Sequence, residues 1–200
     1  TIVALVRHED EARNIPFPED AEGWAFAVDV TDEAQVTACF EQIGRQFGYV
    51  DVLVHTVGGW EAQPLLETSW ASWEAMLRRN LGSAFLCVRE AARLMEGRGG
   101  RLIGIAAGQG ADRGVAREGA YSAAKGGLIR FVEAVAAEYR GTGISAHAVA
   151  PSTLRYDGAE AGEEDGEGVA AREVVDLCCY LASPAGSALN GATLRAYGNA

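Results

Sequence analysis

Six short apolar runs, alternating with longer stretches of helical character, constrain this chain more than any other feature. The runs are "TIVALVR" (1–7), "AFAVDV" (25–30), "VLVHTV" (52–57), "RLIGIAA" (101–107), "ISAHAVA" (144–150) and "ATLRAY" (192–197). They are apolar throughout rather than alternating, as strands covered on both faces are. Helical stretches are expected near 32–47, 69–96, 118–140 and 170–183. "TDEAQ" opens the first, with Thr31 in a capping position and acids in the first turn. "GTG" (141–143) stops the third and Pro184 follows the fourth. Strand and helix in this order require right-handed crossovers. They predict an α/β fold, a doubly wound parallel sheet of about six strands with helices on both faces. No repeat or linker divides the chain, so residues 1–200 are expected to form a single domain.

A net charge of -11 argues against nucleic acid as a partner, because phosphates require a basic face. No apolar run approaches the roughly 18 residues of a membrane span. A basic, apolar export signal is not apparent at the start, and a reduced, cytoplasmic setting is expected. Cys39, Cys87, Cys178 and Cys179 form no CxxC pair and the three histidines are scattered, so no metal site is expected. Cys87, Cys178 and Cys179 are read as buried thiols. "DGAEAGEEDGEG" (157–168), with six acids and no base, reads as a mobile, solvated loop.

"AYSAAKGGLIRF" (120–131) places Tyr121 and Lys125 four residues apart, one above the other on a helix face. With it come "AVDVTDEAQV", "DVLVHTVGG", "RNLGSAF", "GRLIGIAAGQG", "HAVAPSTL" and "SALNGATLRAYG". These seven segments, in this order, resemble the landmarks of the short-chain dehydrogenase/reductases along the whole chain. The resemblance implies a Rossmann-like domain and an NADP or NAD cofactor. It also implies reduction of a carbonyl or oxidation of an alcohol on a small molecule. Tyr121 would be the general acid or base. Lys125 would favour the phenolate and hold the cofactor ribose. Asn80 would bend its helix and hold a proton-relaying water. Asp29, Val30, Gly58 and Pro151 would line the cofactor site, and Arg7 would favour a 2'-phosphate. Apolar residues around the helices at 69–96 and 118–140, among them Trp70, Trp73, Phe85, Leu94, Leu128, Phe131 and Val135, suggest a homodimer or homotetramer.

Two departures bear on activity. The family's TGxxxGxG loop, whose backbone N–H groups approach the pyrophosphate, has no counterpart. "RHEDEARNIPFPEDAEGW" (7–24) has no glycine before Gly23 and carries six acids, which would repel phosphate. The serine that orients the substrate carbonyl falls on Ala107 or Gly108, neither of which can donate a hydrogen bond. Tight cofactor binding is therefore not expected, and a scaffold or small-ligand binder stands as the alternative to an enzyme. In spacing, "TIVALVR" fits the family's second strand better than its first. Either a central strand lies outside the 200 residues or residues 1–7 take the central slot. The cost of unpaired strand edges leads to the expectation that 1–7 lie beside "VLVHTV".

Overall fold

The computed structural model describes residues 1–156 and 168–198. The acidic stretch expected to form a loop lies, but for Gly168, outside the described residues. The expected strands are all present, with boundaries moved by up to three residues. They are β1 (Ile2–Val6), β2 (Gly23–Ala27), β3 (Val52–His55), β4 (Gly100–Ile105) and β5 (Ile144–Pro151). Two short strands, β6 (Leu154–Arg155) and β7 (Val169–Ala170), precede β8 (Thr193–Ala196). The helices are α1 (Glu9–Arg13), α2 (Glu33–Phe47), α3 (Trp70–Leu77), α4 (Ser83–Met95), α5 (Gly108–Ala111), α6 (Gly119–Glu138) and α7 (Ala171–Ala182). All strand pairs are parallel.

The cap of α2 is Asp32 rather than Thr31; its carboxylate accepts from the Gln35 N–H at 3.0 Å. Thr31 instead donates both its N–H and its hydroxyl to Asp29. The long helix expected over 69–96 is broken by a π-helical turn at Arg78–Gly82, which separates α3 from α4.

The pairing of β1 differs from expectation. Among the described residues β1 is bonded to β2 alone, and β3 begins a separate run of order β3-β4-β5-β8. Residues 1–7 therefore do not lie hydrogen-bonded beside "VLVHTV". The two sheets are joined through side chains instead. Val3, Leu5 and Leu53 pack on one core with Phe40 and Ile43 of α2 and residues of α4 and α6. That shared apolar contact holds β1 in line without a backbone ladder.

Side chains alternate across the sheet. Leu102, Ala146 and Ala148 face the core built with α2, α4 and α6. Ile103, Ile105, Val149 and Leu194 face the opposite way, onto Val174, Cys178 and Leu181 of α7. Helices thus cover both faces of the sheet. Of the three cysteines read as buried, Cys87 and Cys178 are so, whereas Cys179 is exposed. Cys178 shares the sheet-facing side of α7 with Val174 and Leu181, four residues before and three after it, and the adjacent Cys179 turns outward.

Candidate active site

The loop after β3, the end of β4 and the first turns of α6 meet at the π-turn before α4. Asn80 sits in that turn, fully buried. A π-turn adds one residue to the helical circuit and frees a backbone carbonyl. Here the Asn80 side chain uses it: Nδ2 donates to the Met76 carbonyl at 3.1 Å and to the Gly59 carbonyl at 2.9 Å. Oδ1 accepts the Gly59 N–H at 3.1 Å. Asn80 thereby fastens the loop after β3 to the helix.

Lys125 is buried in α6 and donates from Nζ to the Ile105 carbonyl at 2.8 Å. Burial pulls its ammonium down to about 8. Gly58 explains how Lys125 and Asn80 come together. A Cβ built at Gly58 would stand 2.7 Å from Asn80 Oδ1 and 3.1 Å from Lys125 Nζ. Only glycine lets both polar groups approach this point of the loop.

Tyr121 lies one turn before Lys125, whose Nζ is 5.9 Å from the phenol ring centroid. Burial, and then the nearby Glu118 carboxylate, push the Tyr121 phenol above its ordinary value. Lys125 gives one of its three N–H groups to the Ile105 carbonyl, and the Tyr121 phenol is in its protonated form at neutral pH. Ala107, two residues past the end of β4, is buried and carries only a methyl group.

Asp29 and Val30 follow β2 at the rim of a cleft of about 1000 Å³ that also contacts Gly58. Thr31 hydroxyl and N–H, chiefly, hold the Asp29 carboxyl below its usual value, and Arg7 stands 3.8 Å away. Arg78 lines the same cleft and donates Nε to the Thr31 carbonyl. Pro151, buried at the end of β5, lies apart from the residues lining this cleft. No glycine-rich turn follows β1. The chain enters α1, whose first turn is Glu9, Asp10 and Glu11, and Glu11 accepts the N–H groups of Arg7 and His8. Those donors are consumed internally.

His55 was not anticipated as a site residue. It is buried, with Nε2 3.1 Å from the Ser83 hydroxyl. Ser83 already donates to the Arg79 carbonyl at 2.6 Å, so Nε2 carries the proton and Nδ1 is an acceptor with no hydrogen-bond partner among the described residues. Burial, and then Lys125, hold the imidazole down at about 4. Its place within an apolar strand run gave no signal of this; only the fold brings Ser83 and Lys125 to it.

The family profile described as enoyl-(acyl carrier protein) reductase matches residues 1–198. The chain belongs to the short-chain dehydrogenase/reductases. Among its relatives is the 3-oxoacyl-[acyl-carrier-protein] reductase FabG of Salmonella typhimurium. The two are 31% identical over 98% of this chain and 85% of that protein. D-threitol dehydrogenase of Mycolicibacterium smegmatis is 29% identical over 84% of this chain and 70% of its own. The solved citronellol catabolism dehydrogenase AtuB of Pseudomonas aeruginosa superposes with a TM-score of 0.84 at 25% identity, covering 97% of this chain and 81% of that one.

Proposed function

We propose that this short-chain dehydrogenase/reductase carries the acid–base frame for NAD(P)(H)-dependent interconversion of a small-molecule carbonyl and alcohol, with cofactor binding and turnover both weak in residues 1–200. The convergence of Asn80 and Lys125 on Gly58, at the edge of a cleft that reaches Asp29 and Val30, carries this reading. The cleft suits the adenosine half of a dinucleotide: Val30 offers an apolar wall, Asp29 a hydrogen-bond acceptor, Arg7 and Arg78 positive charge. Lys125 would bind a ribose hydroxyl, and Pro151 would close the far end. The stretch after β1 does not suit the two phosphates, because it presents carboxylates and its N–H groups are already used. When bound, the cofactor supplies or accepts a hydride. Tyr121 would give its phenolic proton to the substrate oxygen, Lys125 would favour the resulting phenolate, and Asn80 would hold the loop that positions both.

Losing two charge-assisted phosphate bonds costs about 3–6 kcal/mol, or roughly a hundred- to ten-thousand-fold in affinity. Titration of NADPH and NADH into the 200-residue chain, followed by fluorescence, is expected to show no saturation at low micromolar concentration; tight saturable binding would sink the claim of weakness. Ala107→Ser restores the missing hydroxyl, yet turnover is expected to stay at background while the cofactor remains loosely held. A second reading, a scaffold or a binder of another small ligand, draws on the methyl of Ala107 in place of a carbonyl-orienting hydroxyl. Millimolar cofactor separates the two: Tyr121-dependent turnover supports the enzyme, and its absence supports the binder.

A further inference from the structure

We propose that the buried Glu118 carboxylate selects the substrate: it receives the ammonium group of a small amino alcohol or amino ketone whose oxygen Tyr121 meets. This rests on the roles proposed for Tyr121 and Lys125. Burial carries the first argument. From residue 112 to residue 119 every residue but Glu118 is exposed, Val115 included at 40%, whereas Glu118 is 9% exposed. A segment that leaves a valine in water and turns a carboxylate inward reverses the ordinary preference. Glu118 Oε2 is shut off from solvent and has no hydrogen-bond partner among the described residues. No lysine, arginine or histidine among them forms an ion pair with it. Nor does its side chain cap α6, the helix that it precedes. An inward carboxylate without a counter-charge is costly, and a cation brought against it offsets that cost.

Position carries the second. Steps of three and four residues put Glu118, Tyr121 and Lys125 in one stripe along α6. Lys125 Nζ is fixed on the Ile105 carbonyl at 2.8 Å and stands 5.9 Å from the Tyr121 ring centroid. Tyr121 thus lies between the lysine assigned to the cofactor ribose and the carboxylate. Glu118 is at the end of the stripe away from the cofactor, where the remainder of a substrate extends from its reacting oxygen. The Glu118 charge reaches the Tyr121 phenol, adding to the upward push of burial. The backbone around Glu118 is held on both sides. Its N–H donates to the Val115 carbonyl at 3.1 Å and its carbonyl accepts the Ser122 N–H at 2.8 Å. Arg117, just before it, has a φ of 68°, in the left-handed region that disfavours side chains, and its carbonyl accepts the Gln63 N–H at 2.7 Å. An acceptor held in this way is set in place before a ligand arrives.

These observations define the ligand. A carboxylate only accepts, so its partner is a donor, and a desolvated charge is matched by a cation better than by a neutral hydroxyl. Three residues of helix rise about 4.5 Å. The nitrogen and the reacting oxygen of the substrate are therefore only a few bonds apart, as in short amino alcohols and amino ketones. The net charge of -11 draws such a cation toward the chain.

Three probes test this: 1-amino-2-propanol, 2-butanol and lactate share a secondary alcohol and carry a positive, no and a negative charge. Each is titrated into the labelled chain with millimolar NADP, and the Glu118 and Tyr121 amides are followed by NMR. Saturable shifts are expected with 1-amino-2-propanol, at a concentration lower by about tenfold or more than with the other two. Glu118→Gln is expected to erase that preference and Glu118→Asp to keep part of it. The thermal midpoint of Glu118→Gln is expected to stay level or rise, because an unpaired charge is removed. A marked fall would show a structural partner for the carboxylate and overturn the proposal. Equal binding of the three probes, no saturable shift with the amine, or a preference that survives Glu118→Gln would overturn it as well. Turnover at millimolar cofactor separates it from the enzyme reading. Glu118-dependent binding without Tyr121-dependent oxidation upholds the ammonium site and tells against that reading alone. Tyr121-dependent oxidation of 2-butanol as fast as that of the amine upholds the reading and overturns the role of Glu118.

Discussion

His55 is held neutral by its surroundings, and that neutrality has a cost in acid. The imidazole pKa falls from 6.5 in an open chain to about 4 in the fold, through burial and then the Lys125 charge. Between those values the unfolded chain binds the proton and the folded chain does not, so stability is full above pH 6.5 and declines as pH falls toward 4. A displacement of this size corresponds to about 3 kcal/mol. Thermal unfolding followed from pH 7.5 down to 4 is expected to show this decline. His55→Asn keeps a donor for Ser83 but cannot ionise, so its acid limb is expected to be shallower by that amount. An identical acid limb in the variant would refute the assignment.

At the scale of elements, the seat of Lys125 depends on how closely α5 approaches α6. A Cβ at Gly110 would lie 2.5 Å from the Gly126 nitrogen and 2.5 Å from the Lys125 carbonyl carbon. Backbone atoms on both sides leave no flexible neighbour to yield. Gly110→Ala is therefore expected to destabilise the protein by about 1–3 kcal/mol in a denaturant titration. Gly114→Ala, where the same atom meets open space, is expected to change it little. Much of this level was legible in the sequence. The apolar runs located the six principal strands because a doubly covered strand leaves no other composition. Asn80, Tyr121 and Lys125 were marked by motif, and the structure brings Asn80 and Lys125 to one glycine. The pattern could not show the π-turn, because one extra residue in a helix leaves the apolar spacing of each half intact. Nor could it show that β1 has one partner instead of two. Edge and interior strands covered by the same core read alike, and the pairing of β1 is decided by residues far away in the chain.

For the whole molecule, the apolar surface is uneven. Trp60, Leu65, Leu66 and Trp70 are 60%, 85%, 99% and 71% exposed in and beside the loop between β3 and α3. Phe85 is half-exposed, edge-on to Phe131, whereas Leu128 and Val135 of the expected contact set are buried within the chain. A grouping of this kind is more than a solvated monomer ordinarily shows. A homodimer or homotetramer is expected by light scattering at micromolar concentration, and Leu66→Glu is expected to shift the mass toward monomer; a monomeric parent chain would defeat this. The break between β1 and β3 bears on how the molecule opens. Two ladders that share side chains but no backbone bond need not come apart in one event. The β1–β2 pair can peel from the α2 floor while β4 and β5 stay closed, so the chain is expected to have two cooperative units. Native-state hydrogen exchange is the measure: amides of Ala4 and Phe26 should report a lower opening free energy than those of Leu102 and Ala146. A single common value for all four would mean that the core alone, without a continuous ladder, is enough to make the sheet open as one.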